Sequence, residues 1–600
     1  MSGQKTLIWA VLLLALGAFY YFYEVEGGKQ RQEAANKRER LFQFAADDVT
    51  ALTIKREQET LSAEQRDGHW YLTAPLAVRG DDQKYGELAR FIADLRYTRV
   101  VEEQAASVEP FGLTNPRLDV QIRLKNQPTP LGLHLGASNP TGGSYYAQVE
   151  GRPAVYLVGG LVKDTLDVSL HALRDKTVLS YTPAEVQEIQ LARGTDAPVV
   201  LQRQSGDTWR LTAPLTAKAD DQQVRSLLQR LRDAKIQAFV SEQTTELEPY
   251  GLQHPALHVR LQTAQGAVPE LLLGNLDPEK KGVYAKHSDA PRVFLLAQDL
   301  WDNLPKTSSA VRDKTILTYE RDQITRLEIQ SPAEHIILQH TGPRQYAMEQ
   351  PVQTAGDGEA VYSLLWDIHD LKAKDFVAET PLALDLYGLD SPRLRLVLSE
   401  KSPASQELKQ HVLLLGAEAP DAQGVYARTD NAPTIYLVDK AAAQRLLSKT
   451  AFDLRNRKVL TFTTETIQKL RLQYPTASLT VMRQGNTWQL LEPEKHDIPQ
   501  RWKVDQVLYE LSTLDYVKIV ADTVEDKQRY GLDVPQVQIT LWQSDGTVLG
   551  PLLIGKSVEH EVPGTLTVYA QVGTQSMLYA LKAELLKSLP KTPNELVSEK

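Results

Sequence analysis

The sequence predicts an α+β protein: an N-terminal transmembrane helix followed by four tandem repeats, each an antiparallel β-meander with two helices. Three observations carry that reading. A triplet recurs as Phe111-Gly112-Leu113, Tyr250-Gly251-Leu252, Tyr387-Gly388-Leu389 and Tyr530-Gly531-Leu532, at steps of 139, 137 and 143 residues (250−111, 387−250, 530−387). A proline follows each leucine by three positions: Pro116, Pro255, Pro392 and Pro535. Segments of alternating apolar residues surround every triplet, and one apolar stretch stands ahead of the first copy. A chain of 600 residues corresponds to four domains at about 150 residues each.

Residues 7–23 (LIWAVLLLALGAFYYFY) are 17 uncharged residues, at the short end of a membrane-spanning helix. The cluster from Phe19 to Tyr23 suits a membrane–water interface. A cleaved signal peptide is the competing reading, because Ala15 and Gly17 offer a weak small-x-small site. We expect an uncleaved anchor, with a short tail at 1–6 before it and a polar, helical stalk at 24–40 after it. Lys29, Arg31, Lys37, Arg38 and Arg40 follow the segment, and positive-inside counting would use them to hold the bulk of the chain inside. Long domains translocate largely regardless of such charges. The expectation is therefore N-terminus in, bulk outside.

The first repeat shows the plan. Val49, Leu52 and Ile54 mark a strand, Asp67-Gly68 a hairpin turn, and Trp70, Leu72 and Pro75 the returning strand. Asp81-Asp82 opens a helix whose apolar stripe is Tyr85, Leu88, Ile92 and Leu95, with an aspartate placed to cap the first turn. After the triplet, Leu118, Val120, Ile122 and Leu124 alternate strictly, as do Leu131, Leu133 and Leu135 up to Gly136. Tyr145-Tyr146-Ala147 and Val155 to Val158 complete the meander. A last amphipathic helix, about Leu161 to Leu173, runs into Arg174-Asp175-Lys176. The predicted order is β-β-α-β-β-β-β-α.

The other copies keep the plan. The Trp70 position holds Trp209, Tyr346 and Trp488; the Leu-Gly position holds Leu273-Gly274, Leu415-Gly416 and Ile554-Gly555; the Tyr-Ala position holds Tyr284-Ala285, Tyr426-Ala427 and Tyr569-Ala570. The domains are placed at 41–178, 179–316, 317–459 and 460–600. No Gly/Ser linker separates them, and Leu179-Ser180-Tyr181, Leu317-Thr318-Tyr319 and Leu460-Thr461-Phe462 follow the closing segments directly. Neighbours are expected to pack at fixed angles.

Chemistry is sparse. Net charge is −9 without a basic stripe, so no nucleic-acid partner is expected. The absence of cysteine excludes disulfides, thiolate metal sites, iron–sulfur clusters and cysteine nucleophiles. His254 and His258 stand four apart, but Pro255 and a strand pattern deny them a helical face, and His335 and His340 do no better. There is no phosphate-binding loop, nucleophile elbow or dinucleotide fingerprint. The triplet reads as a helix-to-strand turn in which glycine supplies the backbone angle, and the tryptophans as hairpin packing rather than sugar platforms. The acid pairs Asp81-Asp82 and Asp220-Asp221 read as helix caps rather than a calcium site. No catalytic, cofactor or metal residue is assigned.

The hairpin ending Trp70-x-Leu72-x-x-Pro75, the aromatic-Gly-Leu-x-x-Pro turn, the Leu-Gly and Tyr-Ala strands and the closing Leu173-Arg174-Asp175-Lys176 together resemble the bacterial domain of unknown function 4340. The resemblance spans most of 41–600. Copy three departs in losing the tryptophan, and copy four in replacing the closing Arg-Asp with Leu589-Pro590-Lys591. The resemblance implies an N-terminally anchored bacterial inner-membrane protein whose bulk is periplasmic. It also implies association with permease and ATPase subunits of a gliding-motility-like ABC transporter, in a non-catalytic accessory role. An envelope glycan- or peptidoglycan-binding module is the alternative, and an uncharacterised hydrolase a more distant one.

Overall fold

Each repeat folds around one antiparallel sheet. In the first, the strands are β1 (Val49–Lys55), β2 (Thr60–Arg66), β3 (His69–Ala74), β4 (Val78–Arg79), β5 (Arg99–Glu102), β6 (Leu118–Leu124), β7 (Leu131–Ser138), β8 (Ser144–Val149) and β9 (Val155–Gly159), with helix α1 (Asp82–Ala93) between β4 and β5. The computed structural model describes residues 39–598 apart from 141, 403–405, 421–422 and 574. The expected anchor at 7–23, and the stalk through residue 38, lie outside the described residues. Among those described, no helix is long and apolar enough to cross a membrane.

The strand order is β4-β3-β2-β1-β6-β7-β8-β9-β5, and the other three sheets reproduce it. Copy two adds one short strand, Gly266–Ala267, beside its counterpart of β6. This is two four-stranded meanders joined at β1 and β6, where Leu52 faces Ile122 and Ile54 faces Val120. Helix α1 then carries the chain across so that β5 lands on the far edge beside β9. The predicted element order omits β2, in which only Leu61 and Ala63 are buried and which forms the near side of the Asp67-Gly68 hairpin, and it also omits β4 and β5. Two and four residues are too few to establish a period of two, and edge strands carry no continuous apolar face. The predicted closing helix is two, Leu161–Leu166 and Leu170–Leu173, the second capped by the Ser169 side chain accepting from the Ala172 amide at 3.2 Å.

Helix α1 lies on one face of the sheet because its buried residues, Tyr85, Leu88, Ala89, Ile92 and Ala93, share one stripe. They meet the inward residues Val120, Ile122, Leu133 and Leu135, with Trp70 stacked on Tyr85 at 4.7 Å between ring centres. Each such aliphatic side chain contributes roughly 1.5–3 kcal/mol on burial. The Asp67-Gly68 turn has both residues at positive φ, 50° and 81°, the primed geometry that matches strand twist.

Two compact units divide the chain, one up to Asp313 with copies one and two, the other from Lys314 with copies three and four. Within them, every copy receives its incoming segment by the same backbone frame. The amides of Tyr97, Ile236, Ala373 and Tyr516 donate to the carbonyls of Glu39, Lys176, Lys314 and Arg457 at 3.1, 2.9, 2.8 and 3.0 Å. In copy one Leu41 and Phe42 are buried behind this bond.

Candidate functional site

The aromatic-Gly-Leu triplets close single helical turns with the glycine in the left-handed region. Gly112, Gly251, Gly388 and Gly531 have φ of 68°, 65°, 61° and 68°, and their amides donate to carbonyls three residues back at 3.0–3.1 Å. The Leu-Gly strands explain why these turns sit where they do. A β-carbon on Gly136, Gly274, Gly416 or Gly555 would fall on the carbonyl oxygen of Phe111, Tyr250, Tyr387 or Tyr530. Strand and turn therefore meet backbone to backbone, on the sheet face opposite Leu135. The triplet's ring then leans on the Tyr-Ala ring at 4.9–5.0 Å in all four copies, Phe111 on Tyr146 through Tyr530 on Tyr569. Leu113, Leu252, Leu389 and Leu532 are buried beneath. In copy two the Tyr284 hydroxyl donates to Asp277 at 2.7 Å, and this carboxylate pushes the phenol up to about 12.

The tryptophans turn inward. Trp70, Trp209 and Trp488 are 5, 2 and 1% exposed, and Tyr346 is buried in the same place, so none offers a stacking face to a ligand. The acid pairs divide two tasks, of which the sequence reading gave one. Asp81 caps α1 and Asp220 the copy-two helix Asp221–Asp233, whereas Asp82 and Asp221 each accept the backbone amide of the tryptophan at 2.7 Å. Burial pushes the Asp82 carboxyl up, but the Trp70 amide, His69 and Arg79 outweigh it and hold it below the ordinary carboxylate range. In copy three Asp357 caps the helix Gly358–His369. In copy four Arg501 precedes the helix Trp502–Ser512 without a side-chain cap, and Asp505 instead takes the Trp488 indole N–H at 3.1 Å. Among the described residues, no three His, Asp or Glu side chains gather as metal ligands.

Recurring residues thus serve the interior, and the copies differ outside it. The outward stripe of the long helix reads Gln83, Glu87, Arg90 in copy one; Gln222, Ser226, Gln229 in copy two; Glu359, Ser363, Trp366 in copy three; and Trp502, Gln506, Tyr509 in copy four. These positions are separated by the same steps as the triplets. Trp366 is 42% exposed and carries the Arg321 guanidinium over its ring at 3.2 Å. Trp502 and Tyr509 are 58 and 63% exposed. The sequence reading passed over them, although the repeat register would have isolated them as aromatics where the first two copies are polar.

The copy-four stripe continues through Thr513 into a cleft of about 680 Å³ between the end of the helix, Arg457 and the short helix Leu585–Ser588. A counterpart of about 420 Å³ exists in copy two. In copy three the following helix is longer, Lys440–Leu447, and closes on the long helix through Arg445 and Asp367 at 3.1 Å.

The family model for a domain of unknown function (DUF4340) matches residues 70–208, 209–354, 347–516 and 488–600. Three of these matches begin at Trp70, Trp209 and Trp488, so the family unit starts in the third strand of one sheet and runs into the next. No curated protein matches the chain. Similar solved structures include the DNA polymerase sliding clamp of Pseudomonas aeruginosa with ligand (8% identity, 67% of this chain, 93% of that chain, TM-score 0.11). Others are a sliding clamp of that organism bound to griselimycin (8%, 67%, 94%, 0.11) and the Helicobacter pylori beta clamp in complex with carprofen (7%, 67%, 92%, 0.11). At that TM-score the likeness carries no argument. With four successive matches covering most of its length, the chain belongs to the DUF4340 family, in four tandem copies.

Proposed function

We propose that this protein is a non-catalytic, membrane-anchored envelope scaffold that serves as an accessory subunit of an ABC-type transporter complex. Residues 7–23 anchor it in the bacterial inner membrane by a single pass, and the four repeats stand on the periplasmic side. One observation supports the scaffold reading above all. The side chains that recur four times are spent on turns and cores, and the variation falls on an exposed helix face, polar in two copies and aromatic in two. An array whose recurring residues are internal and whose exposed helix faces differ from copy to copy is suited to holding different proteins at different stations.

The test is co-purification of the full chain after mild detergent extraction. The expected result is recovery with an integral-membrane permease and an ATPase. Recovery of the chain in good yield with neither would overturn the transporter assignment. Protease added outside the inner membrane should cut the repeats, and protection of all four would overturn the orientation.

A further inference from the structure

We propose that the joint between copies one and two is an acid-responsive hinge worked by two histidines, one from each copy. His171, in the closing helix of copy one, sets its ring edge-on against Phe239 of copy two, at 5.7 Å between ring centres. His287 ends the copy-two strand Gly282–His287 and donates through Nε2 to the carbonyl of Val178, in the connecting segment, at 2.7 Å. Its ring rests on Phe294 at 5.4 Å. Both histidines are half-buried, and each makes a contact that crosses the joint. The Val178 bond lies two residues beyond the Lys176 carbonyl that receives the Ile236 amide. The corresponding positions elsewhere carry no histidine. By register with the closing arginine, His171 falls on Phe452 in the joint between copies three and four, where that ring meets Tyr516 at 6.0 Å. By register along the Tyr-Ala strand, His287 falls on Val149, Thr429 and Val572 in copies one, three and four. In copy one the carbonyl equivalent to that of Val178 belongs to Leu41, and it takes its bond from Arg152 at 3.1 Å, a side chain that stays charged at every working pH.

The surroundings of both rings oppose a positive charge. At His171 burial acts most strongly, Lys176 and Arg174 add to it, and together they hold the imidazole below its ordinary value. At His287 burial again leads, with Arg292 and Lys286 adding to it; the Val178 carbonyl and Asp289 oppose them without prevailing. Opposite His287 on the neighbouring strand stands the uncharged Leu271. The other charged groups near the joint are Glu242, paired with Arg174 and Arg292; Asp175, paired with Arg79 at 3.5 Å; Asp81, 3.9 Å from Lys176; and Lys235, on the Thr177 hydroxyl at 3.4 Å. A histidine value depressed by folding stabilises above the unfolded value of about 6.5, and that stability is lost as pH falls through the folded value. Below about pH 6.5 each ring is therefore drawn toward water, which gives up the Phe239 contact and the Val178 bond. Glu242, held below the ordinary glutamate value, keeps its charge as this happens, so the hinge moves before the ion pair is lost. The use of such a hinge rests on the proposed periplasmic placement, where the repeats meet the pH of the surroundings.

Hydrogen exchange of the full chain, from about pH 7.5 to pH 5 and corrected for the intrinsic pH dependence of exchange, tests the proposal. Protection at Ile236 should fall severalfold relative to protection at Tyr516 as the pH is lowered. H287Q keeps a side-chain N–H for the Val178 carbonyl, and H171F supplies the ring that copy three carries at that position. The double variant H171F/H287Q should hold the two protections in constant ratio across the range, with each single variant removing part of the decline. A constant ratio in the wild-type chain, or a decline that the double variant retains, overturns the hinge. A second measurement needs no variant: the ring resonances of isotopically labelled histidines in the wild-type chain. His171 and His287 should both titrate below about 6.5, and titration of both at or above that value overturns the proposal. Loss of the pH response with the repeats still open to protease from outside removes the hinge alone. A full pH response in repeats protected from outside protease removes the periplasmic placement alone.

Discussion

The joint between copies one and two and the joint between copies three and four share a backbone frame and differ in what fills it. In the first, Arg174, with only 4% of its side chain exposed, reaches Glu242 at 2.5 Å and lies over the Phe239 ring at 3.3 Å, with Arg292 on the other carboxylate oxygen at 3.0 Å. In the second, Arg455 sits above Phe452 and Tyr516, and Tyr516 stacks on Tyr579 at 4.9 Å. The positions of Phe239 and Glu242 fall, by the repeat steps, on Ile519 and Asp522 in copy four. One joint is therefore closed by a half-buried ion pair and the other by rings. The lesson is that the backbone hydrogen bond sets the docking and the side chains set how it responds to conditions.

The amides of Ile236 and Tyr516 report the two joints separately, since each donates across one of them. Hydrogen exchange at these amides reads the opening free energy of each without requiring the whole chain to unfold in two states. The largest effect is expected for Y516A, which removes a buried ring from the copy-four core. Protection at residue 516 should fall by about 3–4 kcal/mol, nearly independently of pH between 4 and 7, with Ile236 unaffected. R174A should cost somewhat less at Ile236, about 2–3 kcal/mol at pH 7, because Glu242 keeps a third of its surface in water and keeps Arg292 while losing Arg174. Equal losses at both amides in either variant would show that the joints are not independent.

The smallest effect concerns acid. Burial raises the Glu242 carboxyl, but the hydrogen bond and charge of Arg174 and the charge of Arg292 outweigh it and hold it below the ordinary glutamate value. A depressed folded value stabilises above the unfolded value of about 4.3 and is lost as pH falls through the folded one. Protection at Ile236 should therefore decline below about pH 4.3 relative to E242Q, while Tyr516 shows no matching decline. An identical acid profile in wild type and E242Q would remove the ionic account of the first joint.

The internal plan of the repeat was legible because it is written in periods. Leu118 to Leu124 alternate and Tyr85 to Ile92 follow helical steps, so the long strands and the long helix declare themselves. What escaped depends on contacts between distant residues. Nothing local in Gly136 says that it faces the Phe111 carbonyl, and nothing in Asp82 says that it holds the Trp70 amide rather than its own helix. Arg174 is visible as part of a recurring closing segment, but its partner lies 68 residues on in the next domain. The sheet order was hidden for a related reason. The two short edge strands are defined by their neighbours and not by their own sequence.

The frame that receives each incoming segment has an evolutionary consequence. Because the Tyr97 amide donates to the Glu39 carbonyl by the bond that later copies use for their predecessors, the first domain needs no special founder's interface. Any duplicate inserted into the series meets a port already fitted to it, and only the side chains over the seam must then be tuned. The offset family matches, at 70–208, 209–354, 347–516 and 488–600, each contain the residue whose amide forms that port, Tyr97, Ile236, Ala373 and Tyr516. Such a chain can lengthen or shorten by whole domains through unequal recombination, with each new station free to diverge on its outward helix.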